Sequence, residues 1–310
     1  MSSPLLSVCL ITYNHGAFIR EAIESILMQK VNFTFEIIVA DDCSQDNTRA
    51  IVSEYAAKHE NLFKLLFQEK NVGPARNWMD LLEAATGKYV AYIEGDDKWN
   101  DPEKLKKQIE FLESNPNYVM TCHDAQVIDE KGNILEKSKL PLAEQKDYSA
   151  EDLKRGAYIL SLSMCYRNVI KKFPEVVWKM KNGDTLLTVL LGEFGACKFQ
   201  HDIIPASYRR HSGGVWSMKS AISQWRIQAN TYEQFTIHFK KNHDKKFMLY
   251  YLDLYVKKQL AIYEWELTNH QDNYALTKKS TLLFVLRIKG FRTFLYVGRS
   301  FKNLIKKAGN

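Results

Sequence analysis

The chain of 310 residues has only five cysteines: Cys9, Cys43, Cys122, Cys165 and Cys197. The number is odd, the positions are scattered, and no CxxC or CxxH pair occurs. That excludes a disulfide framework and a zinc knuckle, and it points to a reducing compartment. No uninterrupted apolar run reaches the roughly 18 residues that a spanning helix needs. The apolar stretch 5–11 follows Met1 to Pro4, which contain no basic residue, so it lacks the form of a secretory signal and reads as a buried first strand. Acidic residues are missing from the end of the chain: none follows Asp272. Low-complexity segments and internal repeats are also missing.

What is present is globular. Hydrophobic residues make up 45% and charged residues 25%, a balance that supports a sizeable core and argues against disorder. The net charge of +7 is uneven. Nine basic residues follow Asp272; without them, 34 basic residues face 36 acidic ones, a balance of −2. Basicity therefore belongs to the tail, not to the protein as a whole.

The first hundred residues alternate between strand and helix patterns. Residues 5–11, 35–40, 62–67 and 88–93 read as strands, and 18–29, 48–58 and 75–85 as helices. This order predicts an α/β fold with a mostly parallel central sheet flanked by helices. Further on, 102–113 and 183–194 read as helices, and 118–122, 125–128, 161–166 and 203–209 as strands. Residues 136–150 read as loop, and Ser212-Gly213-Gly214 as a flexible breaker. A boundary is expected near residue 215, with domains 1–215 (halves 1–100 and 101–215) and 216–310, the latter a helical extension.

In parallel sheets, ligands gather beyond the carboxyl ends of the strands. Three strands end there in Thr12-Tyr13-Asn14, in Asp41-Asp42-Cys43-Ser44 and in Glu94-Gly95-Asp96-Asp97. Three carboxylates within four residues repel one another unless a cation or hydrogen-bond donors offset them. Mg²⁺ and Mn²⁺ take such oxygen ligands together with substrate phosphates. A plainer reading of each run exists: a solvated turn at 94–97, and a capping Asp42 or Ser44.

The ordered set of these runs resembles family 2 glycosyltransferases. Ser7 to Asn14 resembles their opening strand, and Glu36 to Thr48 their second strand and turn. Asn71-Val72-Gly73-Pro74-Ala75-Arg76-Asn77 is similar to their glycine-then-Ala-Arg-Asn segment, and Gly87 to Asp97 to the strand leading into their Asp-x-Asp motif. The resemblance covers about the first 115 residues, and Glu94 departs from it by replacing the more usual Asp. Asn182-Gly183-Asp184 resembles the acidic position that supplies their catalytic base, and Tyr208-Arg209-Arg210-His211 their Tyr-Arg-x-His segment.

The resemblance implies a GT-A fold and inverting transfer from a nucleotide-sugar, by family habit a UDP-sugar, to a glycan or lipid-linked acceptor in bacterial surface polysaccharide assembly. It implies Thr12, Tyr13 and Asn14 at the nucleotide, and Asp42 accepting from the base with Asp41 beside it. Arg76 would approach the nucleotide, and Arg209 and His211 the phosphates. Asp97, helped by Asp96, would bind Mn²⁺ or Mg²⁺, with Asp96 alternatively reaching the ribose. Asp184 would be the base. For Asp184 the plainer reading is helix capping, and for His211 an ordinary surface histidine.

Rival readings differ in what they require. A nucleotidyltransferase would carry a glycine-rich basic loop where Thr12-Tyr13-Asn14-His15-Gly16 stands, and an oxidoreductase would carry GxGxxG. A non-catalytic nucleotide- or glycan-binding scaffold would not need to keep Asp42, Asp96, Asp97 and Asp184 together. Residues 278–310 read as a basic amphipathic helix suited to an anionic membrane surface, or else as a helix packed on the protein. The expected setting is cytoplasmic, peripheral on the inner face of the membrane. No nucleic-acid module is recognisable.

Overall fold

The computed structural model describes residues 3–180, 183–213, 219–269, 274–289, 297–298 and 300–301. Asn182, Gly214, the expected boundary at 215, and Phe291, Phe294 and Leu295 of the tail lie outside the described residues. The chain forms two compact units: Met1–Phe173 with Gly183–Gly214, and Pro174–Asn182 with Val215–Asn310.

The first unit opens with β1 (Leu6–Thr12), α1 (Ile19–Leu27), β2 (Phe35–Asp41), α2 (Thr48–Lys58), β3 (Phe63–Phe67), α3 (Pro74–Glu83) and β4 (Tyr89–Glu94). It continues with α4 (Lys104–Ser114), β5 (Tyr118–Cys122), β6 (Ala125–Ile128), β7 (Ile134–Glu136) and α5 (Ala150–Lys154). β8 (Cys165–Arg167), α6 (Gly183–Leu191), β9 (Ala196–Phe199) and β10 (Ala206–Arg209) complete it.

Seven strands form one sheet in the order β3-β2-β1-β4-β8-β5-β9. β8 runs antiparallel to β4 and β5, and the other pairings are parallel. A second sheet has the order β10-β6-β7. The central strands are mostly apolar because helices cover both faces of a parallel sheet. Leu6, Val8, Leu10, Ile37, Ile38, Val39 and Ile93 have no exposed surface. α1 buries Ile19, Ala22, Ile23 and Ile26, a stripe at helical spacing. Truncating one such core residue to Ala costs about 2–5 kcal/mol.

After β1 the chain moves outward to β2 and β3, then returns to β4 on the other side of β1. The point where strand order reverses leaves a crevice beyond β1 and β4. Thr12 ends β1 and Glu94 ends β4, so the sheet itself brings the two motifs together.

Several elements differ from expectation. The strand expected over 161–166 begins with a 3-10 turn, Ser161–Ser163, and β8 follows it. The strand expected over 203–209 starts only at Ala206, after Pro205 has removed a ladder donor. The loop expected over 136–150 holds the end of β7, a 3-10 turn (Leu142–Glu144) and the first residue of α5. Ser149 and Asp152 close a capping box on α5. β9 was not expected.

The second unit is helical where described: α7 (Ala221–Lys241), α8 (Lys245–Thr268) and α9 (Tyr274–Lys289), beside a 3-10 turn Glu175–Lys179. Ser220 and Asp244 cap α7 and α8 through their side chains. Phe235, Phe239 and Tyr251 pack ring on ring, with Phe239 and Tyr251 stacked at 5.6 Å. Phe284 and Val285 of α9 are buried with Tyr255, Tyr263, Val297 and Phe301. Among the described residues, no helix is long and apolar enough to cross a membrane.

Candidate active site

Backbone bonds lock the three strand ends into one rim. Gly95 N donates to Ile11 O at 2.9 Å, and Asp42 N donates to Thr12 O at 3.1 Å. A Cβ on Gly95 would stand 2.7 Å from Thr12 Oγ1 and 2.9 Å from His15 Nδ1. Only glycine lets the 94–97 turn pass so close to the loop after β1.

On the β2 side, polar groups are largely matched by protein. Asp41 is fully buried. It accepts from Ser44 N at 3.0 Å, from Ser44 Oγ and from Arg49 Nε. Asp42 accepts from Val72 N at 2.7 Å and Gly73 N at 3.0 Å, fixing the turn into α3. Burial raises its carboxyl pKa, and the two backbone donors only partly oppose the rise. Asn14, at φ 55°, donates its N–H to Ser44 Oγ and accepts from Gln45 N, both at 2.8 Å. Tyr13 presents its side chain to solvent, 43% exposed. Arg76 sits in the first turn of α3, paired with Asp80 at 2.8 Å.

On the β4 side, the acids face one another. Glu94 Oε1 accepts from Ser161 Oγ at 2.8 Å, while buried Oε2 has no partner. Burial, and next the charge of Asp96, push the Glu94 carboxyl up to about 8. Asp97 is buried, and its Oδ1 accepts from Arg209 N at 2.9 Å. Burial and the neighbouring acids hold its pKa well above the usual carboxylate range. Burial would raise Asp96 too, but its bond with His211 and the charges of His15 and His211 outweigh that and lower it.

Asp96 Oδ2 lies 2.9 Å from His211 Nε2 and 3.8 Å from His15 Nε2. One ligand atom from each of these residues falls within 4.8 Å of the others. Among the described residues, this is the group of His, Cys, Asp and Glu side chains arranged to hold a cation, and Asp97 is not part of it. Arg209 does not face the rim as a free cation. Its side chain is fully buried, with Nε donating to Asp96 O at 2.9 Å and NH1 reaching Asp129 O and Glu130 O at 3.3 Å. Its NH2 is 3.1 Å from Glu21 Oε2 but is not aligned for a hydrogen bond. Arg209 thus clamps the acidic turn to β10.

Asp184 stands in the first turn of α6, where Thr185 N donates to its Oδ1 at 2.7 Å. Its surface is open to water, yet the surrounding protein desolvates the carboxyl and raises its pKa. Water access keeps the effect modest. The charge of Asp184 raises the pKa values of Glu94, Tyr92 and Tyr158.

A groove of about 890 Å³ opens at the other end of the sheet, around Leu5, Thr34, Gly87 and Arg167. It lacks converging carboxylates, so its volume does not make it the reactive centre.

A model described as Glycosyl transferase family 2 matches residues 7–173. The chain belongs to this family. It is 35% identical to the uncharacterized protein Rv1520 of Mycobacterium tuberculosis over 211 residues, 68% of this chain and 60% of that protein. It is 39% identical to the putative teichuronic acid biosynthesis glycosyltransferase TuaG of Bacillus subtilis over 109 residues, 35% of this chain and 42% of TuaG. The match therefore spans about three fifths or less of these relatives.

Two solved structures show the same GT-A fold. One is S. aureus TarS 1-349 with UDP-GlcNAc, at TM-score 0.59 and 19% identity, covering 96% of this chain and 91% of that one. The other is the mannosyltransferase PcManGT of Pyrobaculum calidifontis with GDP-Man and Mn²⁺, at TM-score 0.54 and 15% identity, covering 99% and 88%.

Sequence reasoning overlooked three residues of this family 2 site. His15 follows Thr12-Tyr13-Asn14 on the same loop, so its proximity to the motif was a usable signal. Ser161 opens the stretch 161–166 read as a strand and Lys139 lies in the stretch 136–150 read as loop, and neither position points to the acidic run. Lys139 Nζ lies 3.8 Å over the Tyr208 ring, and its charge acts on Asp97.

Proposed function

We propose that this family 2 chain is an inverting glycosyltransferase that moves a sugar from a nucleotide-sugar, of the UDP class, to a hydroxyl of a glycan or lipid-linked acceptor. The observation that carries the reading is the convergence of His15, Asp96 and His211 from three segments at the strand-order reversal. TarS, solved in complex with UDP-GlcNAc, supports the donor class, and TuaG, named for teichuronic acid biosynthesis, supports bacterial surface polysaccharide as the setting.

Tyr13, Thr12 and Asn14 border the nucleotide. Asp42 accepts from the base through lone pairs left over by Val72 and Gly73. Asp41 acts behind it, holding Ser44 and Arg49. Arg76 approaches the nucleotide from α3. Asp96 and His211 offer ligand atoms to Mn²⁺ or Mg²⁺, with Asp97 as the adjoining carboxylate, and the residues fit such an ion because their donor atoms already converge. A bound divalent cation supplies charge stabilisation to the departing diphosphate. Arg209 keeps the acidic turn in place.

Asp184 removes the acceptor hydroxyl proton as that oxygen bonds to the anomeric carbon. The bond from that carbon to the diphosphate breaks, and the diphosphate leaves with the electron pair. One displacement inverts the centre and needs no enzyme nucleophile. The exposed Leu276 and Leu283 of α9, beside Lys279, support contact with an anionic membrane on its cytoplasmic face.

The test is release of nucleoside diphosphate from a panel of UDP- and GDP-sugars with Mn²⁺ or Mg²⁺. Metal-dependent release with an acceptor supports transfer. Nucleotide binding without release by the wild type would leave a scaffold, and no binding of any donor would overturn the reading.

A further inference from the structure

We infer that His15 is a third protein ligand of the rim cation, so that two imidazoles and one carboxylate favour Mn²⁺ over Mg²⁺. The inference rests on the glycosyl-transfer reading of the rim, and it assigns to His15 a role that the motif residues do not carry.

Three separate segments deliver the ligand atoms: the loop after β1, the turn after β4 and the segment after β10. His15 Nε2 is 3.8 Å from Asp96 Oδ2, His211 Nε2 is 2.9 Å from the same oxygen, and one ligand atom from each of the three residues lies within 4.8 Å of the others. Separations of this order are what neighbouring ligands on one small ion show, given metal–ligand bonds of about 2.0–2.2 Å.

The far side of the His15 ring is engaged. Its Nδ1 lies 3.2 Å from Thr12 Oγ1. A ring nitrogen held by an outer partner fixes the tautomer and aims the other nitrogen at the metal. The backbone is held as well: His15 O accepts from Phe18 N and Ile19 N, each at 2.8 Å, at the start of α1. Gly95 leaves the room that brings the ring against the acidic turn. Thr12 therefore serves as a positioning residue for His15, in addition to bordering the nucleotide.

Ligand type decides the ion. Mg²⁺ prefers oxygen ligands and retains its waters, whereas imidazole nitrogens suit first-row transition ions. The single carboxylate leaves room for the diphosphate oxygens of the donor.

The experiment is Mn²⁺ titration of the full chain without donor, read by electron paramagnetic resonance, with Mg²⁺ as competitor. Wild type should bind one Mn²⁺ that Mg²⁺ displaces only at much higher concentration. His15→Gln should weaken Mn²⁺ by at least about tenfold and narrow the Mn²⁺-over-Mg²⁺ preference. Thr12→Val should weaken it less. Thermal melts without metal report whether each variant is folded. If His15→Gln binds Mn²⁺ as tightly as wild type while Asp96→Asn does not, the inference fails and the rim reading stands. If wild type binds neither ion, with or without UDP, both fail.

Discussion

Two acidic pairs flank β1, Asp41-Asp42 at the end of β2 and Asp96-Asp97 at the end of β4, and their surroundings are opposite. The first pair is matched by Arg49, Ser44, Val72 and Gly73. The second stands among acids, with Glu94 Oε2 unpartnered and Asp96 turned towards two histidines. A satisfied carboxylate holds loops in place. An under-compensated one is a place for a cation, a proton or a ligand donor. The same dipeptide thus builds the site on one side and serves it on the other.

The largest expected effect lies on the β4 side. Asp184→Asn should lower transfer by about a thousandfold, the range of a lost general base, while metal-dependent nucleotide binding stays within about twofold. Steady-state transfer and calorimetric binding of UDP on the same preparation check this. Transfer at the wild-type rate would remove Asp184 from the mechanism.

Stability sharpens the comparison next. Asp41→Asn removes the buried carboxylate charge that Arg49 Nε faces, while Arg49 NH2 keeps its bond to Gln68 O, and should cost about 2 kcal/mol, less than a wholly buried pair because Arg49 is 30% exposed. Asp96→Asn should cost less than about 0.5 kcal/mol in metal-free protein, since it also relieves repulsion with Glu94 and Asp97. Urea denaturation of both variants decides. Equal losses would mean that the two pairs are structural alike.

The sequence made the sheet and the rim legible but not the partners. β1, β2 and β4 were readable because strands buried on both faces are continuous apolar runs. β7 was not, because all three of its residues are exposed and no burial pattern exists to read. β9 alternates over only four residues, Ala196–Phe199. The capping box of α5 was a signal in plain view, hidden inside a polar stretch. At the site, strand ends located the acids, while distance in sequence concealed what they meet. Asp42 is matched 30 residues away at Val72, and Asp96 meets His211 across 115 residues. Arg209 looked like a phosphate ligand by type, yet it is a buried clamp, which no local pattern reveals.

The acidic run also sets a pH response, and Glu94 carries it. Glu94 is pushed from 4.5 to about 8, by burial first and Asp96 second. Between those values the folded chain keeps a proton that the unfolded chain has released. Stability therefore falls as pH rises through that window, by on the order of 1 kcal/mol once partial water access is allowed for. Glu94→Gln should flatten the slope, and so should Mn²⁺, whose charge favours the ionised carboxylate. Melting temperatures at pH 5, 6.5 and 8, with and without Mn²⁺, measure it. A slope unchanged by Glu94→Gln would place the proton elsewhere in the run.

The smallest effect concerns the second unit, where burial divides α9 into two faces. Phe284 and Val285 are buried in the helical core, while Leu276 and Leu283 are 68% and 56% exposed and Lys279 lies between them at helical spacing. A membrane interface would take up both the exposed leucines and the lysine between them. Leu283→Ser should then lower binding to phosphatidylglycerol vesicles two- to fivefold, about 0.5–1 kcal/mol for a partly inserted side chain, without changing the melting temperature. Co-sedimentation of wild type and variant reads the difference. Equal partitioning of the wild type to phosphatidylglycerol and phosphatidylcholine vesicles would sink the membrane reading and leave the basic face of α9 to solvent.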